Sequence, residues 1–180
     1  MHVRTRRASL WIASVTLAAL ALTGALRAST TVERYDRLGI SFEYTSSWFV
    51  TSQRLSNGWD PDYRFAASTV PVRRTRDDEG PCLPGIARQL PRSGALVFLR
   101  EYTGASRRRA LPRLDPLPRR LKLTRDGIMC GFSRPARGAW IGFREARRAF
   151  ILAVHVGPNA TKATERQLRR LVASLEIRLR

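Results

Sequence analysis

The sequence predicts an α+β fold: an antiparallel sheet of about six strands, covered by a C-terminal amphipathic helix and one short helix. Three observations predict it. Leu38 to Tyr44 and Arg148 to Val156 place side chains on two faces with a period of two, as half-buried strands do. Leu168, Leu171, Val172 and Leu175 fall at i, i+3, i+4 and i+7, the apolar stripe of a helix. Between these segments, Ser46-Ser47, Asn57-Gly58 and Gly157-Pro158-Asn159 turn the chain at short intervals.

The first element is an address and not part of the fold. Arg4, Arg6 and Arg7 precede nineteen uncharged residues, Ala8 to Leu26, and Arg27 follows. Basic residues before a short apolar run are the pattern of an export signal. Ala and Thr dilute the run, which only just reaches the length of a membrane span, so residues 1–28 read either as a cleaved signal peptide or as an N-terminal membrane anchor. Thr23-Gly24-Ala25 offers one small-residue cleavage site and Ala28 another. Thr5-Arg6-Arg7-Ala8-Ser9-Leu10 also resembles a twin-arginine signal, with Ser9 where an aromatic is usual. Ser29 to Arg37 is polar and charged and reads as a linker, leaving residues 38–180 as a single domain without internal repeats.

Within that domain, Ile40, Phe42 and Tyr44 share a strand face, and Trp48 after the turn is a core anchor. Phe49 to Leu55 and Tyr63 to Val72 give two further strands around the Asn57-Gly58 turn. Arg73 to Pro84 is a loop. Its Asp77, Asp78 and Glu79 lack the alternating ligand spacing of a calcium loop and read as solvated charge. Leu83 to Pro91 holds one helical turn between two prolines, and Ala95 to Tyr102, apolar almost throughout, reads as the central strand. Gly104 to Gly127 contains Pro112, Pro116 and Pro118 and reads as a flexible basic arm. Ala139 to Arg144 and Arg148 to Val156 form a hairpin turning at Glu145 to Arg147, with Phe150, Leu152, Val154 and Val156 opposite Ile151, Ala153 and His155. Thr161 or Thr164 caps the helix that follows, and Glu176 to Arg180 alternates as a last short strand.

Charge sets the partner classes. The chain carries 33 Lys and Arg against 14 Asp and Glu, a net +19, and all its basic residues except Lys122 and Lys162 are arginine. A GC-rich genome explains arginine over lysine but not the shortage of acids, so two readings of the charge stand side by side, composition bias and attraction to a polyanion such as anionic lipid, a surface polymer or nucleic acid. The candidate contacts are Arg107, Arg108, Arg109, Arg119, Arg120 and Lys122. Between Tyr102 and Phe132 there is no aromatic, so the stacking platform of single-strand nucleic-acid binders is missing and nucleic acid is the weakest of the three.

Cys82 and Cys130 are the only cysteines, and in an exported chain an isolated pair reads as one disulfide, worth about 4 kcal/mol on the chain-entropy account. With only His2 and His155 besides, no metal site is expected, and no cofactor motif is present. No GxSxG, HExxH, P-loop or dinucleotide fingerprint occurs. His155 reads as a structural residue on a sheet face. An enzyme would need a pocket lined by Glu43, Glu101 or His155.

The opening Gly39-Ile40-Ser41-Phe42-Glu43-Tyr44 followed by Trp48, and the closing strand to Gly157, helix and Val172-Ala173-Ser174-Leu175-Glu176-Ile177, resemble the small exported PsbP-like domains of bacteria. The resemblance brackets most of residues 38–180. Thr45 departs from it, standing where a proline is common, and the basic Pro-rich segment is longer than such a fold requires. It implies a non-enzymatic accessory or binding domain in the cell envelope or outside the cell, with an envelope protein or small ligand as partner, and it supplies no functional residues. If residues 8–26 are retained, the membrane is a further partner.

Overall fold

A computed structural model describes residues 31–55, 61–78, 83–127, 132 and 136–179. The export segment of residues 1–28, Ser29-Thr30, the Asn57-Gly58 turn, Glu79, Cys82, residues 128–131 with Cys130, and Arg180 lie outside the described residues. Among the described residues no helix is long and apolar enough to cross a membrane.

The fold is α+β, and every strand pairing in it is antiparallel. Eight strands are described where about six are expected, and they form two sheets, not one. β1 (Val32–Arg37), β2 (Ile40–Thr45) and β8 (Glu176–Ile177) make a three-stranded sheet in the order β1-β2-β8. β3 (Phe49–Thr51), β4 (Asp62–Ser68), β5 (Ala95–Glu101), β6 (Arg137–Glu145) and β7 (Arg148–Val156) make a five-stranded sheet in the order β3-β4-β5-β7-β6. The α-helices are α1 (Pro84–Gln89), α2 (Gly104–Ala110) and α3 (Lys162–Ala173).

β1 corrects the reading of residues 29–37 as a linker. Only Tyr35 of its six residues is buried, so no alternation shows in its hydropathy. The full backbone ladder from Val32↔Thr45 to Arg37↔Ile40 holds it, together with Tyr35 stacked on Phe42 at 4.9 Å.

The larger sheet is buried on both faces. Its inner face (Phe65, Ala67, Val97, Leu99, Leu152, Val154) packs on Ile40 and Phe42 of the small sheet and on Leu168, Leu171 and Val172 of α3. Phe42 meets Phe65 at 4.3 Å across the two sheets, and Trp48, 4% exposed, donates to Gln167 Oε1 of α3 at 3.2 Å. The outer face (Ala66, Leu96, Phe98, Ala153) is closed by Leu55, Val72, Leu83 and by Ile86 and Leu90. In β4 a bulge between Tyr63 and Phe65 puts these two aromatics on opposite faces, Tyr63 against Phe98 and Phe65 against Phe42, although they are two residues apart.

Asp78 corrects the solvated-loop reading. It is fully buried and closes the start of α1: Oδ1 accepts from the backbone N–H of Gly85 (2.8 Å) and Ile86 (3.1 Å), Oδ2 from Thr75 N–H (2.8 Å) and Oγ1 (2.9 Å). Free N–H groups at a helix start need an acceptor, and here the loop folds back to supply one. Gly85 is required, since a Cβ there would lie 1.8 Å from Thr75 Oγ1. Asp77 stays exposed, paired with Arg88.

The start of the Gly104–Gly127 arm is likewise ordered. Residues 105–110 contain neither Pro nor β-branched residues and form α2, which tightens into a 3-10 turn (Leu111–Arg113) where Pro112 enters. α3 is capped by Thr161, whose Oγ1 accepts from Thr164 N–H at 3.0 Å.

His155 lies on the outer face of β7, its ring tilted against Phe132 with centroids 4.0 Å apart, 4% exposed and with no hydrogen bond to Nδ1 among the described residues. Burial lowers its pKa from 6.5 to about 4. The imidazole is therefore neutral in the fold, and the unfolded chain binds more protons between these values. Stability falls as the pH drops through 6.5 and the loss is complete near 4. In paired urea titrations, His155→Leu is expected to lose about 3 kcal/mol less than the parent protein over that window; parallel pH profiles would contradict this.

Candidate functional site

The site is built around one carboxylate. Glu101 ends the central strand β5 on the inner face, with Asp62 of β4 and Phe150 of β7 as its neighbours in register. Arg148, first residue of β7, holds it from two sides, Nε to Oε1 at 2.8 Å and Nη2 to Oε2 at 2.7 Å. Arg64, aimed by the bulge in β4, donates from Nε to Oε2 at 2.6 Å. The remaining nitrogen of Arg148 reaches the small sheet, donating from Nη1 to the carbonyls of Leu38 (3.1 Å) and Arg178 (3.2 Å). Side-chain exposure is 8% for Glu101, 5% for Arg148 and 15% for Arg64, so the cluster is screened from water. Burial is the largest single influence on Glu101 and pushes its carboxyl up. The hydrogen bonds and charges of Arg148 and Arg64 together outweigh it and hold the carboxyl below its usual range.

Around this cluster the chain gathers cations. The β6–β7 turn is made by Ala146 and Arg147, both left-handed (φ 48° and 58°), the geometry of a tight hairpin built without glycine. Three clefts among the described residues border that turn. The first, of about 360 Å³, is lined by Arg64, Glu101, Arg107, Arg147 and Arg148. The second, of about 560 Å³, lies between Leu111, Pro112 and Pro116 on one side and Arg144 to Arg147 on the other. The third, of about 610 Å³, runs between Arg119, Arg120, Glu145 and the end of α3 at Arg169 and Val172. Backbone hydrogen bonding fixes this wrap, with Arg144 N–H donating to Asp115 O at 2.8 Å.

The basic segment thus folds round the hairpin end. Arg107 lines the first cleft and Arg119 and Arg120 the third, while Arg108, Arg109 and Lys122 are exposed and line none of these three. None of the six forms an ion pair among the described residues. The structure adds Arg144 and Arg147, exposed, and Arg64 and Arg148, largely buried. The charged turn was visible in sequence, but its approach to Arg107, forty residues earlier, depends on tertiary folding. Cys82 and Cys130 lie outside the described residues, and no cluster of His, Cys, Asp and Glu suited to a metal occurs among those described.

Glu43, Glu101 and His155 do not come together. Glu43 is exposed on β2, beside Ser174; Glu101 is engaged by two arginines; and His155 lies on the opposite face of the larger sheet from Glu101.

Glu101→Gln keeps the shape and removes the charge, leaving two buried guanidinium groups against a neutral amide. A loss of about 3 kcal/mol is expected in urea unfolding at pH 7. Because the carboxyl pKa is depressed in the fold, this stabilisation is present above the unfolded value near 4.5 and is lost as the pH falls through the lower folded value. Parent and variant should converge in acid; a gap unchanged from pH 7 to pH 3 would contradict the account.

No protein-family model, curated protein or solved structure matches this chain.

Proposed function

We propose that this chain is an extracytoplasmic, non-enzymatic binding domain of the PsbP-like kind, which engages an acidic polymer of the cell envelope through the arginine end of its larger sheet. The observation that carries the reading is the gathering of Arg107, Arg119, Arg120, Arg144 and Arg147 around the β6–β7 turn. Cations lining concave surface concentrate the field and attract anions over a distance set by salt.

Two features favour a polymer over nucleic acid or the chain's own membrane. Among the lining residues of the three clefts Tyr102, half-buried in the first, is the one aromatic, and the exposed Phe49 and Trp140 line none, so a run of bases would meet a single ring there and not a stacking platform. Orientation supplies the second. The described chain begins at Thr31, hydrogen-bonded to Ser46, at the opposite end of β1 from the Leu38-Gly39 turn that Arg148 grips. At ~3.3 Å per residue, β1 separates these ends by roughly 20 Å. If residues 8–26 stay in the membrane, the arginine end faces away from it. The signal in residues 1–28 and a Cys82–Cys130 disulfide complete the reading as an exported domain.

The test is retention of the full chain on phosphocellulose in neutral detergent. Replacing Arg107, Arg119 and Arg147 together with Ala is expected to lower the eluting salt concentration markedly. Replacing the exposed Arg73, Arg74 and Arg76, beside α1, with Ala should leave it nearly unchanged. Equal shifts for both triples would show that total charge governs retention and would remove the proposed surface.

A further inference from the structure

The cleft of about 360 Å³ between α2, the β6–β7 turn and β4 differs from the other two in being floored by a fixed ion cluster. Four guanidinium groups line it, those of Arg64, Arg107, Arg147 and Arg148, against the single carboxylate of Glu101, an excess of three positive charges among the lining residues. The two at the floor are held in place. Arg148 spends its donors on Glu101, Leu38 and Arg178, and Arg64 spends Nε on Glu101. Neither Nη of Arg64 makes a hydrogen bond among the described residues, and Nη2 pairs with Asp62 only at 3.8 Å, beyond hydrogen-bonding distance, so the end of that guanidinium keeps donors for a ligand. The two at the mouth, Arg107 and Arg147, have no ion-pair partner among the described residues.

A second, independent observation concerns Arg147 itself. It occupies a left-handed position (φ 58°) next to another non-glycine in the same state, Ala146 (φ 48°). Hairpin turns of this kind favour Asn-Gly, and an L side chain such as arginine is disfavoured there because its Cβ crowds the following carbonyl oxygen. The fold thus retains an arginine where glycine would be more stable, and that arginine's side chain lines the mouth of the cationic cleft.

We propose that this cleft binds a doubly charged phosphate group, with Arg107 and Arg147 closing on its oxygens and the Arg64 Nη groups donating from below. Guanidinium forks match tetrahedral oxyanions in geometry, and the excess charge favours a dianion over a monoanion such as a carboxylate. This deepens the reading of the arginine end as a polyanion surface and rests on it, since it names the group by which an acidic ligand would be held.

Calorimetric titration of the full chain in neutral detergent tests it, with inorganic phosphate, methyl phosphate and acetate as probes. Saturable phosphate binding, at least tenfold tighter than acetate, is expected. Methyl phosphate bound as tightly as phosphate identifies an esterified group as the ligand; weaker binding identifies the free ion, and either supports the site. Arg107→Ala and Arg147→Gly should each weaken phosphate binding about tenfold, the loss of a charge-assisted contact. Arg147→Gly should also raise Tm by about 2–4 °C through relief of the turn. Ala146→Gly, at the other left-handed position of the turn, should raise Tm similarly, and Arg73→Ala, on the exposed loop beside α1, should leave phosphate binding unchanged. Phosphate bound no better than acetate, or undiminished in both arginine variants, overturns the proposal. If phosphocellulose retention by the Arg107, Arg119 and Arg147 surface persists in that case, only the cleft is wrong; if it is lost as well, the surface falls too.

Discussion

Glu101 faces two guanidinium groups with one carboxylate, and the rest of this structure depends on how that imbalance is resolved. Its two oxygens take three charge-assisted hydrogen bonds, from β4 through Arg64 and twice from β7 through Arg148. Arg148 then carries the connection beyond the sheet, to the β1–β2 turn at Leu38 and to the chain leaving β8 at Arg178. Five segments distant in sequence are thereby fastened at one end of the molecule. Apolar packing joins the two sheets elsewhere, through Tyr35, Phe42 and Phe65, but packing alone does not set orientation as directional bonds do.

The same constraint shapes the surface. A buried carboxylate in the company of arginine carries net positive charge outward, and the segment after β5 wraps the hairpin end with more of it. Glu145 and Asp115 lie near the turn but form no ion pair with these arginines among the described residues. Elsewhere acids are consumed locally: Glu165 by Arg137 and Arg169, Asp36 by Arg178, Glu176 by Arg34. At the hairpin end the unpaired arginines line clefts, whereas Arg73, Arg74 and Arg76, also without an ion pair among the described residues, line none of the three. The left-handed Ala146-Arg147 pair fits that division, since local strain there is held by the nine-residue β6–β7 ladder.

Strands with one clearly apolar face were legible in the sequence. β2, β5 and β7 alternate or are apolar throughout, and α3 carries its stripe, because burial on a face writes its period directly into residue type. β1 was not legible, since a single aromatic among charged residues leaves no period and the ladder that holds it is backbone. α2 was hidden by averaging its helix-forming residues with the prolines beyond. Asp78 looked like its neighbours Asp77 and Glu79; only the folded loop distinguishes the residue that meets the α1 N–H groups. The arginine-rich segment itself stood out, whereas Arg64, Arg144, Arg147 and Arg148 joined the picture only once the bulge in β4 and the path of residues 104–121 were known. Tertiary juxtaposition of like charges has no local sequence signature.

The most direct measurement is the exchange rate of the assigned arginine Nε–Hε protons by NMR at pH 7. Donors locked on a buried carboxylate exchange slowly, whereas solvated ones exchange fast. Slow exchange for Arg64 and Arg148, fast exchange for Arg107 and Arg147, and loss of protection at both buried positions in Glu101→Gln is the pattern this account predicts. Exchange at Arg64 and Arg148 as fast as at Arg107 would show that Glu101 does not hold this end of the molecule together.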